Sequence, residues 1–333
     1  MIKQRNLYAD FLKGILIISV AIGHSIQYLQ YENNFLLFWN NYLFKAIYTF
    51  HMPLFMAVSG YFAYSSIANR TTSDFIKSRI KYLLIPLIAW CFIRVLCSSI
   101  GSDTTIITFF DKFIYTSFHS YWFVWTVILG SVVVCILKRF SLDKAWILLP
   151  VSILAMLLST SVMCIHVGRE YFIYFALGYI LGSRDLSKYY EFCRKYFLVF
   201  VLILIPCCIV WNPFLPSSIL SIEGWAVYLF RVFLGIISSI VFLIIFYGIY
   251  TKVKERPVVS YLSNIGQETL GIYLMHDFFI VAYQRWILPH FSLPLPGISY
   301  TILAFVIVAV SYSIIYLLKK NKIAGFVLLG KRI

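Results

Sequence analysis

Asp10, Lys13, His24 and Gln27 stand three, eleven and three residues apart. At about 100° per residue of α-helix, those offsets bring all four into one narrow stripe. Lys13 and His24 then lie within about 20° of each other and about 16 Å apart along the axis. They cannot touch, but they can line one continuous polar path. Asp10 and Lys13, one turn apart, can neutralise each other, and His24 supplies a ring that takes up and returns protons near neutral pH. A second polar group is His51-Met52-Pro53 followed by Ser59-Gly60. Pro53 there frees the carbonyl of Thr49 and kinks the helix. A third is Tyr273, His276 and Asp277, with Thr269 and Gly266 one and two turns earlier. The chemistry open to such residues is proton transfer by histidine and the holding of an anionic ligand by cations.

These groups matter because of what surrounds them. Of the 333 residues, 61% are apolar and 12% charged, against about 45–50% and 25% in a soluble domain. With 30 Phe, 25 Tyr and 8 Trp, the apolar surface exceeds what one soluble core can bury. A soluble enzyme, a disordered chain and a disulfide scaffold are thereby excluded, and the bilayer becomes the expected solvent. A helix crossing about 30 Å of hydrocarbon needs about 20 apolar residues. Ten stretches answer to that: 7–29, 43–65, 80–100, 121–138, 145–165, 170–183, 197–212, 225–250, 269–288 and 299–318. The expected fold is all-α and polytopic, a single membrane-embedded domain over 1–333 with no separate soluble domain. The first stretch lacks a small-residue cleavage pattern and is expected to remain in place.

The formal charge of +15 suggests an acidic partner until the cations are placed. Lys3 and Arg5, Arg70 to Lys81, Lys138 to Lys144, Arg184 to Lys195, Lys252 to Arg256 and Lys319 to Arg332 fall on one side of an alternating ten-span topology. They account for 21 of the 28 Lys and Arg. The positive-inside rule then makes both termini cytoplasmic, and no nucleic-acid partner is needed. The seven cysteines lack metal-ligand spacing and lie mostly in apolar runs, as small buried hydrophobes do. No metal site is expected.

Ionisable groups at membrane depth are costly, so each is a functional candidate. His51 falls at about the depth of His24, so the two can meet. Asp277 calls for a cation, for which Arg94 and Arg231 are available; a structural Arg–Asp pair is the plainer reading. Lys13, Arg94 and Arg231 outnumber Asp10 and Asp277, which would leave a positive interior suited to an anion. Tyr121-Trp122-Phe123 reads either as an interfacial aromatic anchor or as a sugar-stacking surface. Arg169-Glu170 reads either as a surface ion pair or as part of an outer mouth.

Several of these segments, in order, resemble a known family. Asp10-Phe11-Leu12-Lys13-Gly14-Ile15, Gly23-His24, Phe50-His51-Met52-Pro53-Leu54-Phe55 and Ser59-Gly60-Tyr61 are similar to the opening of the acyltransferase family 3 membrane proteins, in particular the fucose 4-O-acetylase-like branch. Arg79-Ile80-Lys81-Tyr82-Leu83-Leu84-Ile85-Pro86, Trp122-Phe123, Tyr171 to Gly178 and Leu270-Gly271-Ile272-Tyr273-Leu274-Met275-His276 continue the match, over about residues 5 to 318.

The resemblance implies a ten-helix enzyme of the inner, cytoplasmic membrane. Such an enzyme moves an acyl group, usually acetyl, from cytoplasmic acyl-CoA to a hydroxyl of an envelope or exported carbohydrate, lipid-linked or nascent. His24 carries over as the catalytic histidine, either general base or transient acyl carrier, with Asp10 and Lys13 beside it. Lys13 stands where the family often has Arg, so a point charge replaces a bidentate fork. Lys13 and Arg79 are the expected contacts for acetyl-CoA, Arg79 through its phosphates. His51, Trp122, Glu170, Tyr273 and His276 are the expected acceptor side. Two other classes use similar residues: a transporter or flippase of lipid-linked sugar, and a membrane-embedded sensor or structural subunit.

Overall fold

The computed structural model describes residues 6–32, 34–101, 103–158, 161–184, 186–211, 222–286 and 297–331. Lys3, Arg5, Arg332 and parts of three expected spans (159–160, 212 and 287–288) lie outside them. All regular structure among the described residues is helical. In chain order the helices are α1 (Leu7–His24), α2 (Phe35–Phe38), α3 (Tyr42–Ala68), α4 (Thr72–Arg79), α5 (Ile85–Ser99), α6 (Ile106–His119), α7 (Trp122–Arg139) and α8 (Ala145–Leu154). They continue as α9 (Met163–Leu181), α10 (Leu186–Lys195), α11 (Phe197–Val210), α12 (Ile222–Val253), α13 (Pro257–Gln267), α14 (Thr269–Trp286), α15 (Gly297–Leu318) and α16 (Lys322–Leu329). Two π-helical stretches, Ser25–Gln30 and Ile80–Leu84, extend α1 and join α4 to α5.

Among the described residues, five helical stretches are long and apolar enough to cross a membrane: Leu7–Gln30, Thr72–Ser99, Trp122–Arg139, Glu223–Val253 and Gly297–Leu318. The α10–α11 pair, bent by 66°, would make a sixth. This is a membrane protein, though fewer spans reach that standard than the ten expected. The others fall short for identifiable reasons. α3 and α14 are 27 and 18 residues long but carry His51, Pro53 and Ser59, and His276, Asp277, Gln284 and Arg285. α8 is short. The helix expected over 170–183 begins earlier, at Met163, because His166, Arg169 and Glu170 are taken into it. The connection at 106–119 is also helical, opened by Thr105, whose hydroxyl accepts from Thr108 N–H at 3.2 Å.

By internal contacts the chain forms two compact units. Unit 1 comprises residues 1–48, 78–121 and 253–333; unit 2 comprises 49–77 and 122–252. In unit 1, α1 packs along α13 and also meets α14 and α15, while α5 meets α6 and α16. The α1–α13 crossing brings backbones together. A Cβ on Gly14 would stand 2.1 Å from the Leu262 carbonyl oxygen, and one on Gly266 would stand 1.7 Å from that of Asp10. Small residues permit such approaches between membrane helices. In unit 2, α9 packs on α7 and α8 and crosses α3 in the same manner. There a Cβ on Gly60 would lie 2.0 Å from the Phe175 oxygen, and one on Gly178 1.9 Å from that of Ala57. Pro53 does leave the Thr49 carbonyl without its helical donor, and the Ser238 hydroxyl fills the vacancy at 2.6 Å.

The thiols are unbridged. Cys91, Cys135 and Cys164 are buried as expected, whereas Cys97, Cys193 and Cys207 are half-buried and Cys208 is exposed, on a helix with no buried residue of its own.

Candidate active site

Unit 1 holds the whole stripe from Asp10 to Gln27. Asn6 caps α1 by accepting from Ala9 N–H at 3.0 Å, which starts the helix just before Asp10. The Lys13 ammonium reaches the Asp10 carboxylate at 2.7 Å, with the Asp10 side chain only 6% exposed. Lys13 is therefore neutralised within its own helix. Two turns and more along the axis, Gly23 admits the Tyr48 ring, whose nearest carbon would lie 2.8 Å from a Cβ there. The Tyr48 hydroxyl donates to Gln27 Oε1 at 3.3 Å.

His24, half-buried at the end of α1, has its Nδ1 at 2.9 Å from His276 Nε2 on α14. The ring centroids are 5.0 Å apart with planes inclined at 27°, a spacing suited to rings joined edge to edge through N–H···N. His276 is 1% exposed, and its Nδ1 lies 3.2 Å from the Ile272 carbonyl one turn back. Tyr28 meets His24 edge-on at 5.5 Å, and Tyr273 flanks His276 at 5.5 Å. The Ser25 hydroxyl beside His24 is fully buried and has no hydrogen-bond partner among the described residues.

Asp277, next to His276, is paired with Arg94 on α5, and Arg94 also donates to the Ser120 hydroxyl at 3.0 Å. The plainer reading of Asp277 thus describes the geometry. Asp10 neutralises Lys13 and Asp277 neutralises Arg94, so of Lys13, Arg94 and Arg231 the last is the one in excess of the two aspartates. Tyr121 anchors this layer, donating to the Leu274 carbonyl at 3.1 Å with its ring 6.0 Å from Tyr273. It does so at φ 53°, a left-handed conformation that costs a bulky residue energy and persists only where the surroundings enforce it. Tyr121 and Phe123 are 5% and 8% exposed, so they are interior groups and not an interfacial belt.

Arg79 is half-buried at the start of the second π-helical stretch. Near it in unit 1, α16 is fastened to α5: Trp90 donates to the Leu328 carbonyl at 2.9 Å. Glu268, between α13 and α14, receives Lys319 and Lys331 at 2.8 Å each. Burial works to raise the Glu268 carboxyl, but the two lysines outweigh it and hold it below the usual carboxylate value.

Unit 2 holds the remaining expected residues. His51 is 1% exposed and lies edge-on to Phe50. Trp122 and Tyr171 are 4.8 Å apart, and Tyr171 continues to Tyr174 at 5.8 Å. The Tyr174 hydroxyl donates to the Arg231 carbonyl at 3.1 Å. Glu170 is half-buried among these rings. Arg169 makes no surface pair with it. Its guanidinium is drawn inward, donating to the Met156 and Leu158 carbonyls and approaching His166 Nδ1 at 3.1 Å, because the end of α8 leaves those carbonyls without helical donors.

Sequence reasoning missed Tyr28, Ser25, Tyr121 as an anchor, and Glu268. Tyr28 had a signal, standing four residues after His24 on the same face. Glu268 had none, because its two lysines come from the far end of the chain.

An all-helical membrane protein with a hydrogen-bonded pair of histidines, one half-buried and one buried, and with internal ion pairs is what the fold and site define. The chain matches the acyltransferase domain family over residues 6–316 and belongs to it. Two proteins named nodulation protein NolL are similar. That of Sinorhizobium fredii (strain NBRC 101917 / NGR234) is 34% identical over 186 residues, 54% of this chain and 50% of the relative. That of Mesorhizobium japonicum (strain LMG 29417 / CECT 9101 / MAFF 303099) is 28% identical over 286 residues, 82% of this chain and 76% of the relative. The first alignment thus spans half of its relative's length. No solved structure matches the chain.

Proposed function

We propose that the protein is a membrane O-acyltransferase that moves an acyl group, acetyl by preference, from cytoplasmic acyl-CoA to a hydroxyl of an envelope or exported carbohydrate. The observation that carries this reading is the His24–His276 hydrogen bond at one end of the α1 stripe, with the Asp10–Lys13 pair near the other. A free hydroxyl is a poor nucleophile at neutral pH, and a histidine held within hydrogen-bond reach of another polar group is the usual means of removing its proton. His24 takes the proton from the acceptor hydroxyl while that oxygen attacks the thioester carbonyl carbon. A C–O bond forms, the C–S bond breaks, and the proton is returned to the departing thiolate.

The about 16 Å rise from Lys13 to His24 matches the length of a pantetheine arm. The nucleotide end of CoA would therefore stay at the cytoplasmic rim, with Arg79 and Lys13 as its contacts. Trp122, Glu170, His51 and Tyr273 are assigned to the acceptor, with Trp122 and Tyr171 offering ring faces for a sugar. The ten-span topology and both termini in the cytoplasm rest on the charge asymmetry, a single membrane domain on the shortness of the hydrophilic connections and the inner membrane on the family resemblance, and all belong to the same proposal.

Labelled acetyl-CoA and membranes containing the protein supply the test. Replacing His24 with Ala should lower acetyl transfer by about 10²-fold or more at unchanged protein level. Wild-type activity in a stably inserted variant removes His24 from the chemistry. Arg79→Gln should weaken acyl-CoA binding more than acceptor binding. Movement of an unmodified glycan, without acyl transfer, would instead identify a transporter.

A further inference from the structure

His276 stands on the acceptor side in a reading from sequence, but its hydrogen bonds give it another task. The Ile272 carbonyl can only accept, so the 3.2 Å contact requires His276 to carry its proton on Nδ1. A ring 1% exposed is costly to charge. The carboxylate beside it in sequence, Asp277, is already engaged by Arg94. The other polar groups facing the ring, Tyr273 and, through His24, Tyr28, are neutral phenols. His276 is therefore neutral and its Nε2 bears a lone pair. That nitrogen lies 2.9 Å from His24 Nδ1. Two lone pairs cannot share that distance, so His24 Nδ1 must bear the hydrogen and donate it. We infer that His276 is a positioning residue that locks His24 in its Nδ1–H tautomer, placing the working lone pair on Nε2 and steadying the imidazolium once Nε2 has taken a proton.

The backbone enforces the arrangement. Ile272 and His276 are one helical turn apart on α14. α14 follows directly on α13, whose Gly266 is seated against Asp10 of α1. The same crossing that packs α1 thus sets where His276 meets His24. The inference rests on the assignment of His24 as general base, and the test separates the two.

In the full-length protein in membranes, His276→Gln offers Oε1 close to the former Nε2 position. It can still accept from His24. His276→Asn keeps a donor near the former Nδ1 for Ile272 but is too short to reach His24. The Gln variant should keep kcat within about tenfold of wild type, with KM for donor and acceptor unchanged. The Asn variant should lose about 10²-fold in kcat, and its acid limb should move to lower pH because the His24 imidazolium has lost its acceptor. Equal losses in the two variants, or a raised acceptor KM at unchanged kcat, would overturn the inference. So would a Gln variant as inactive as His24→Ala, which would make His276 the reacting base. If His24→Ala retains activity, the assignment of His24 as general base fails, and this inference with it, whatever His276 does. A second measurement needs no His276 variant: nitrogen NMR of ¹⁵N-histidine-labelled wild-type protein, with the His24 signal identified by its loss in His24→Ala. It should show the Nδ1–H tautomer, and an Nε2–H signal would refute the assignment.

Discussion

The two units cross helices by the same device and both tie side-chain donors to backbone carbonyls, but the ion pairs described above all belong to unit 1. Gly14 and Gly266 seat α1 on α13, and Gly60 and Gly178 seat α3 on α9, each against a neighbouring carbonyl. Around the first crossing, charge meets charge: Asp10 with Lys13, Arg94 with Asp277, Glu268 with Lys319 and Lys331. Around the second, side-chain donors meet backbone carbonyls: Arg169 on Met156 and Leu158, Tyr174 on Arg231, Ser238 on Thr49. Carbonyl partners hold shape and carry no net charge. Ion pairs hold shape too, but they also fix the electrostatic setting in which a histidine can exchange protons, so unit 1 is where the chemistry is expected.

That contrast can be broken at its base. Gly266→Ala and Gly178→Ala each drive a methyl group into a backbone oxygen, and each should cost at least about 2–3 kcal/mol, read as lost thermal stability in detergent. Turnover per folded molecule should then fall further for Gly266→Ala, because α13 leads into the helix carrying His276. Equal turnover would erase the functional distinction between the crossings.

A comparable effect on stability, with a smaller one on turnover, is expected one layer out. Asp277→Ala strands Arg94 beside a buried ring. It should cost about 3 kcal/mol, the low end for a broken buried pair, since both side chains keep some exposure. Adding Arg94→Leu should recover most of the loss. Arg169→Met removes a donor from two carbonyls and should cost about 1–3 kcal/mol, with no second-site charge change restoring it. Melting curves of the three variants measure the difference.

The smallest effect concerns pH. Glu268 binds its proton less readily folded than unfolded, so its contribution is fully present above the ordinary glutamate value of about 4.3. That contribution fades as the pH falls through the lower folded value. The stability advantage of wild type over Glu268→Gln should be flat from pH 6 to 8 and shrink in acid. An advantage that grows in acid would contradict the ion-pair account.

The parts legible in the sequence were those written locally. The α1 stripe, the Asp10–Lys13 pair and the carbonyl freed by Pro53 depend on spacing within one helix, and helical geometry fixes such spacing. Asp277 announced that it needed a cation, yet only packing could choose Arg94 over Arg231. His24 announced proton chemistry, but depth along consecutive helices pointed to His51, whereas the histidine that meets it within unit 1 comes 252 residues later. Hydropathy likewise understated α3 and α14, because the residues that make those helices useful are the ones that lower their apolar character. Arg169 looked like a surface group because its pull toward the end of α8 depends on where that helix stops.

The π-helical stretch after His24 has a consequence for how the chain tolerates length change. Tyr31 N–H bonds to the Ile26 carbonyl five residues back, so this stretch holds one residue more than an α-helix would over the same hydrogen bonds. Deleting a single residue between Ser25 and Gln30 would let the helix relax to its ordinary winding. His24 and the chain beyond the stretch would keep their places, and only the side chains within it would shift around the axis. Tyr28 and its bond to Gln284 would thus be lost to the site without the helix itself being broken. The surplus residue works as a phase adjuster, setting which side chains follow the histidine around its ring independently of where the histidine sits.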